Sequence, residues 1–241
     1  TYDGIVDNLY HYNPNEYGPS FRLIDAHNIT VTNSDFPESG FYILRSDNNC
    51  LENITTTSAC SYSTLAGSSY NIINNYTVRD IWLHGLMLTN DGFSYNSNYN
   101  NITGMSFNDS NAVAFIIGQD VIGNTIKDFN IISSDEGIFN QNDGSGLDLW
   151  ETSPPNIFLN SNLSAAIIAV RIDGDNFDGA NTTLRNTTLN KSSIMWDNGA
   201  SYENKKVRVE WFFDVFVNNG GSPVEDAEVS VYDSSSALVF Q

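Results

Sequence analysis

The run Arg171-Ile-Asp-Gly-Asp-Asn-Phe-Asp-Gly179 holds the densest group of chemically useful side chains in this sequence. Asp173, Asp175 and Asp178 can place three carboxylates on one turn, a set of hard oxygen donors suited to Ca²⁺. The spacing is not that of an EF-hand loop, because Phe177 takes a ligand position and no glutamate stands at the twelfth. Arg171 adjoins the cluster. A solvated turn is the simpler reading of the same residues and the one we favour.

The remaining chemistry is sparse. Three histidines occur, His11, His27 and His84. His27 stands just before an asparagine at a predicted corner and reads as a satisfied structural residue, not a base. No nucleophile elbow, P-loop, dinucleotide fingerprint or zinc spacing is present. Cys50 and Cys60 bracket one copy of a repeat, and in an oxidising compartment their pairing would close a short loop worth roughly 2–3 kcal/mol. Two cysteines without a nearby histidine supply too few soft ligands for a metal. Asn140-Gln-Asn-Asp-Gly-Ser-Gly-Leu-Asp-Leu-Trp-Glu151 is a Gly-rich insertion with Asp143, Asp148 and Glu151 around Trp150. Its Trp150 would suit a sugar ring or a partner surface, or would fold back onto the flank; we favour the second.

The elements that must carry these residues are visible as a repeat. Runs led by asparagine begin at Asn28, Asn53, Asn75, Asn101, Asn124, Asn156 and Asn181, at intervals of 25, 22, 26, 23, 32 and 25 residues. Such a period marks one supersecondary unit stacked on copies of itself. Each copy is a turn residue followed by a short alternating run rich in β-branched side chains, so the unit is a strand. Asparagine tolerates positive φ and bonds its own backbone, which suits a corner. Stacked side chains about 4.8 Å apart would also form a ladder. Ile29, Val31, Tyr76, Val78 and Ile102 would point inward. Lys127 and Thr182 break the apolar pattern, and Asn124 slips the frame by one.

These runs resemble the right-handed parallel β-helix repeats of pectin-lyase-like and NosD-like proteins over roughly residues 20–200. That resemblance implies an all-β fold, a right-handed parallel β-helix, and leaves the activity open. Polygalacturonase-like β-helix hydrolases carry clustered aspartates, then Gly-His-Gly, then Arg-Ile-Lys. Here Leu83-His-Gly85 precedes any aspartate cluster and Asp173 follows Arg171-Ile172, so that pattern is not met. The elimination centre of a pectate-lyase-like enzyme would leave Arg171 as the one candidate base.

Ten basic against 29 acidic residues give a net charge of −19, which argues against nucleic acid and anionic membranes as partners. The longest apolar runs fall far short of the roughly 18 residues a membrane span needs. Nine positions match the N-glycosylation acceptor: Asn28, Asn53, Asn75, Asn101, Asn108, Asn162, Asn181, Asn186 and Asn190. Their density, with low lysine content, points to an extracellular or cell-surface glycoprotein. For the asparagines that lead repeats a buried ladder competes with glycosylation, since a sugar needs a solvent-facing amide.

Residues 1–19 fall outside the period and read as a cap or a docking arm, with Tyr2, Tyr10, Tyr12 and Tyr17. Residues 20–203 are the predicted β-helix. Residues 204–241 offer three strands, and Gly221-Ser-Pro-Val-Glu-Asp-Ala-Glu-Val-Ser-Val-Tyr-Asp233 resembles the opening of Ig-like or carboxypeptidase-regulatory-like modules. About thirty residues are too few for such a sandwich, so an incomplete module is implied. The expected function is structural: a subunit of a surface filament or layer assembled head-to-tail through the arm and the last strands. The alternative is a polysaccharide lyase or hydrolase using Ca²⁺ and acting on acidic glycans.

Overall fold

The computed structural model describes residues 4–10, 19, 21–57, 63–81, 84–93, 95–109, 111–118, 121–141, 154–173, 181–196, 206–212, 218–219, 222–223, 231–232 and 238–240. Its first strands are β1 (Gly4–Asp7), β2 (Phe21–Ile24), β3 (Ile29–Pro37), β4 (Phe41–Leu44), β5 (Cys50–Thr57), β6 (Ser63–Ala66), β7 (Ile72–Arg79), β8 (His84–Thr89) and β9 (Asn101–Thr103). The series continues with β10 (Ser106–Asn108), β11 (Val113–Ile117), β12 (Thr125–Lys127), β13 (Asn130–Gln141), β14 (Asn156–Leu159), β15 (Ala166–Asp173), β16 (Asn181–Arg185), β17 (Ile194–Trp196) and β18 (Lys206–Glu210). All the pairings among these strands are parallel, and each joins a strand to its counterpart one rung later. The architecture is therefore the parallel β-solenoid that the repeat implies.

Two stacks make the walls. The first holds β1, β3, β5 and β7, then β9 with β10, β12 with the start of β13, and finally β14, β16 and β18. The second holds β2, β4, β6, β8, β11, the rest of β13, β15 and β17. One inward column shows why this sequence winds this way. Val31, Leu51, Ile73, Ile102, Ile126, Phe158 and Leu184 follow one another in register, all with no exposed surface. Burying each such side chain contributes about 1.5–3 kcal/mol. Phe115, Phe129 and Phe158 meet at centroid distances of 5.4–6.3 Å in the same core.

The corners resolve the asparagine pattern into separate columns. Asn8, Asn33, Asn53, Asn75, Gly104, Asp128, Asn160 and Asn186 all have φ between 50° and 69°, and each follows an aligned strand residue at one bend of the rung. A Cβ on Gly104 would lie 2.9 Å from Asn75 Oδ1, so glycine suits that rung twice over. A second column lies inside: Asn49, Asn71, Asn100, Asn124 and Asn156, each at most 3% exposed. Along it, the backbone N–H and the Nδ2 of each of the first four donate to the Oδ1 of the next asparagine at 2.8–3.1 Å. Thr182 occupies the next position, paired with Asn156 and fully buried. A shorter serine column, Ser46, Ser68 and Ser97, links successive rungs the same way.

Two expected features are revised. The seven leading asparagines do not share a corner. Asn53 and Asn75 lie on the exposed bend, Asn124 and Asn156 in the buried ladder, and Asn28 at another positive-φ corner. The same side chain serves both roles, so the four-residue step from Asn49 to Asn53, or from Asn71 to Asn75, is invisible to the period. The solenoid also reaches beyond residues 20–203. β1 pairs with β3, and Lys206–Glu210, expected to open a sandwich, pairs with β16, its Val207 and Val209 packing against the core.

The chain divides into two compact units, Thr1–Glu210 and Trp211–Gln241. In the second, β19 (Asn218–Asn219) pairs antiparallel with β20 (Ser222–Pro223), and β21 (Val231–Tyr232) with β22 (Leu238–Phe240).

Candidate functional site

On the outward side of the second stack, Phe139, Arg171 and Met195 stand in register on β13, β15 and β17. The Arg171 guanidinium lies 4.8 Å from the Phe139 ring centroid, a cation–π distance. Its Nη1 donates to Glu136 Oε1 at 2.8 Å. The Glu136 side chain is 9% exposed, and its Oε2 is buried with no hydrogen-bond partner. Glu136 pairs in register with Val113, and Val113 with His84 one rung earlier. Burial lowers the His84 pKa to about 4, so this imidazole is neutral at pH 7. Glu136 and His84 are two rungs apart, roughly 9–10 Å, too far for direct proton exchange.

Arg171 is thus tied to its own chain. The guanidinium that would meet a substrate proton instead faces a carboxylate and a ring. Asp173 ends β15, and Asp175 and Asp178 lie outside the described residues, as do Cys60, His11 and the insertion carrying Trp150. Among the described residues no group of three or more His, Cys, Asp or Glu is placed to hold a metal ion. Cys50 opens β5 and has no disulfide partner among the described residues; burial and the Glu52 charge raise its thiol pKa. Its pairing with Cys60 remains an expectation from spacing alone. His27 accepts from the Asp47 backbone N–H at 3.1 Å through Nδ1.

Of the nine acceptor asparagines, Asn181 opens β16 with its side chain outside the described residues, and the rest differ in how the amide nitrogen is used. Asn53, Asn75, Asn162 and Asn186 spend the amide nitrogen that would carry a glycan, donating to Asn33, Asn53, Asn130 and Asn160 at 2.8–3.2 Å. Asn28, Asn101 and Asn190 are exposed, and Asn190 uses its Oδ1, not its nitrogen, to cap the 3-10 turn Lys191–Ser193. Asn108 is half-buried at the end of β10.

Two features escaped the sequence reading. Glu136 sits in an unremarkable strand 35 residues before its partner, with no motif to mark it. Tyr70 and Tyr99, each followed by a ladder asparagine, occupy a positive-φ corner at 58° and 57°. Their rings stack at 5.4 Å and 13°. The repeated Tyr-Asn dipeptide was the available signal.

No family model matches this sequence, and no curated protein matches it. Among solved structures it is similar to the catalytic domain of a GH87 alpha-1,3-glucanase in complex with nigerose, with a TM-score of 0.37 and 13% identity. The match covers 86% of this chain and 51% of that one.

Proposed function

We propose that this protein is a surface scaffold, an extracellular β-solenoid that displays recognition features and assembles end to end. The observation that carries this reading is where the polar side chains go. Asparagines and serines buried at the corners form ladders along the axis, and Arg171 is bonded to Glu136. Such ladders stiffen the stack of rungs, as repeat architectures do when each rung bonds its neighbours. The terminal rungs favour association. Among the described residues β1 pairs on one edge with β3, and β18 on one edge with β16, so each offers backbone groups to a further strand. An end-to-end contact of this kind is heterologous and propagates as a filament unless it closes a ring. Residues 211–241 join this reading as part of an Ig-like or similar module completed by a neighbouring subunit. Negative-stain imaging and sedimentation at increasing concentration test it. Filaments or closed rings, lost on deleting residues 1–19, are expected; a monomer at every concentration overturns it.

A second reading, a glycan-cleaving enzyme acting on the outer flank, is favoured by one observation: the buried, unpartnered Glu136 Oε2 beside a guanidinium. Cleavage of uronate polymers with Ca²⁺, abolished by both Glu136→Gln and Arg171→Ala, would establish it in place of the scaffold.

A further inference from the structure

The corner that leads into the buried asparagine ladder carries different residues on successive rungs: Asn28, Asn48, Tyr70, Tyr99 and Gly123. All five hold positive φ, between 57° and 69°. Asparagine and glycine enter that region easily, whereas a ring-bearing side chain does so at a cost. Two tyrosines nevertheless stand there side by side, 57% and 43% exposed, and their rings stack nearly parallel. Among the described residues no third ring stacks on the pair, whose neighbours in the column are Asn48 and Gly123. A Cβ on Gly123 would sit 2.7 Å from the Tyr99 ring, so glycine is what lets that ring lie over the rung below.

A loop on the neighbouring corner, where Asp25, Arg45 and Gly67 hold positive φ three residues before Asn28, Asn48 and Tyr70, adds two more aromatics. Asp91 Oδ1 accepts from the backbone N–H groups of Phe93 and Tyr95 at 3.0 and 3.1 Å, and Asn90 Oδ1 accepts from Gly92. The loop is closed on itself and holds Phe93 at 89% exposure and Tyr95 at 59%. It rests on Gly67, whose added Cβ would meet Tyr95 Cβ at 2.8 Å. Exposed apolar surface gathered on a fixed frame marks an interaction site. Its rim is made of amides: Asn48 is exposed, and Asn98 has only its oxygen engaged, accepting from Ile122 at 2.8 Å.

We infer that this corner is a carbohydrate-binding surface that takes a neutral glycan chain along the solenoid axis. A pyranose presents weakly polarised C–H faces to an aromatic ring and hydroxyls to amide donors and acceptors, the two chemistries this corner offers. Charge selects among ligands that stack. Arg79 is the single lysine or arginine between Arg45 and Lys127, and it ends β7, the strand that leads away from this corner. Arg45, one rung from Gly67, has its guanidinium bonded to Asp25 at 3.0 Å, so nucleobases with their phosphates and uronate chains find little free counter-charge here, on a protein of net charge −19. The inference rests on this corner alone and is independent of end-to-end assembly.

Affinity electrophoresis and titration calorimetry with maltohexaose, cellohexaose, laminarihexaose and mannohexaose, alongside polygalacturonate, test it on the full chain. At least one neutral hexasaccharide binds, and polygalacturonate does not. The Tyr70→Asn/Tyr99→Asn variant keeps the backbone conformation, since asparagine fills the same corner at Asn28 and Asn48. It weakens binding about tenfold or more without lowering the thermal midpoint. Failure of all four neutral chains to bind overturns the inference, as does equal binding by the variant. Loss of self-association in the variant, with no glycan bound by the parent, also overturns it and makes the corner a protein interface.

Discussion

Asn71 and Asn100 meet through a single oxygen: Asn100 Oδ1 accepts from the Asn71 backbone N–H at 2.9 Å and from Asn71 Nδ2 at 3.0 Å. Both residues are at most 1% exposed, so water cannot replace either bond. Asn100→Ala would strand two buried donors, each costing about 1–3 kcal/mol. Chemical denaturation should therefore show a loss of roughly 2–4 kcal/mol. Asn75→Gly on the exposed bend, where Gly104 already serves one rung on, should cost less than about 1 kcal/mol.

Tyr76 is wholly buried, its hydroxyl within 2.6 Å of Ser63 Oγ and donating to Thr56 Oγ1 and Gly85 O. Burial pushes its pKa up to about 12. An absorbance titration should find one tyrosine that does not ionise until the fold opens, and the signal should vanish in Tyr76→Phe. That variant should lose about 1–2 kcal/mol, since Ser63 and Thr56 keep other partners poorly.

The His84 pKa is depressed to about 4 from 6.5 by burial, so between those values the unfolded chain binds the extra proton. Stability contributed by neutral His84 is therefore complete above pH 6.5 and is lost as pH falls toward 4, by on the order of 2–3 kcal/mol. Carboxylates also titrate in the lower part of this window. The difference between the parent and His84→Gln profiles isolates the histidine, and parallel profiles would refute the assignment.

Arg171→Ala would leave Glu136 buried without its counter-charge. Complete burial of the pair would put the loss at about 3–5 kcal/mol, but Arg171 is 31% exposed, so roughly 2 kcal/mol is expected after solvent screening. Adding Glu136→Gln should restore much of it, which a double-mutant cycle on thermal or denaturant midpoints would read.

In a host that N-glycosylates, glycopeptide mapping should find higher occupancy at Asn28, Asn101 and Asn190 than at Asn53, Asn75 and Asn186. The second group already donates its amide nitrogens within the fold. Equal occupancy would mean that the exposed asparagine contacts yield to the sugar at little cost.

The sequence alone determined the period and the parallel solenoid, because each rung must meet the same steric demands as its neighbours. Val31, Tyr76, Val78 and Ile102 read as inward and are buried, but the register that lines Val31 up with Leu51 and Ile73 came only from the winding. Which asparagine faces inward was decided only by the tertiary structure. In Asn48-Asn49 and Asn74-Asn75 adjacent identical residues take different roles, and the left-handed corner and the ladder favour the same side chain. The reach of the solenoid to β1 and β18 was likewise hidden, since a strand at the end of the stack has the same local pattern as one in another module. Glu136 with Arg171, and Tyr70 with Tyr99, lie 35 and 29 residues apart. Their meeting depends on how many residues each loop adds to a rung, a quantity fixed by winding and not by the local sequence of either partner.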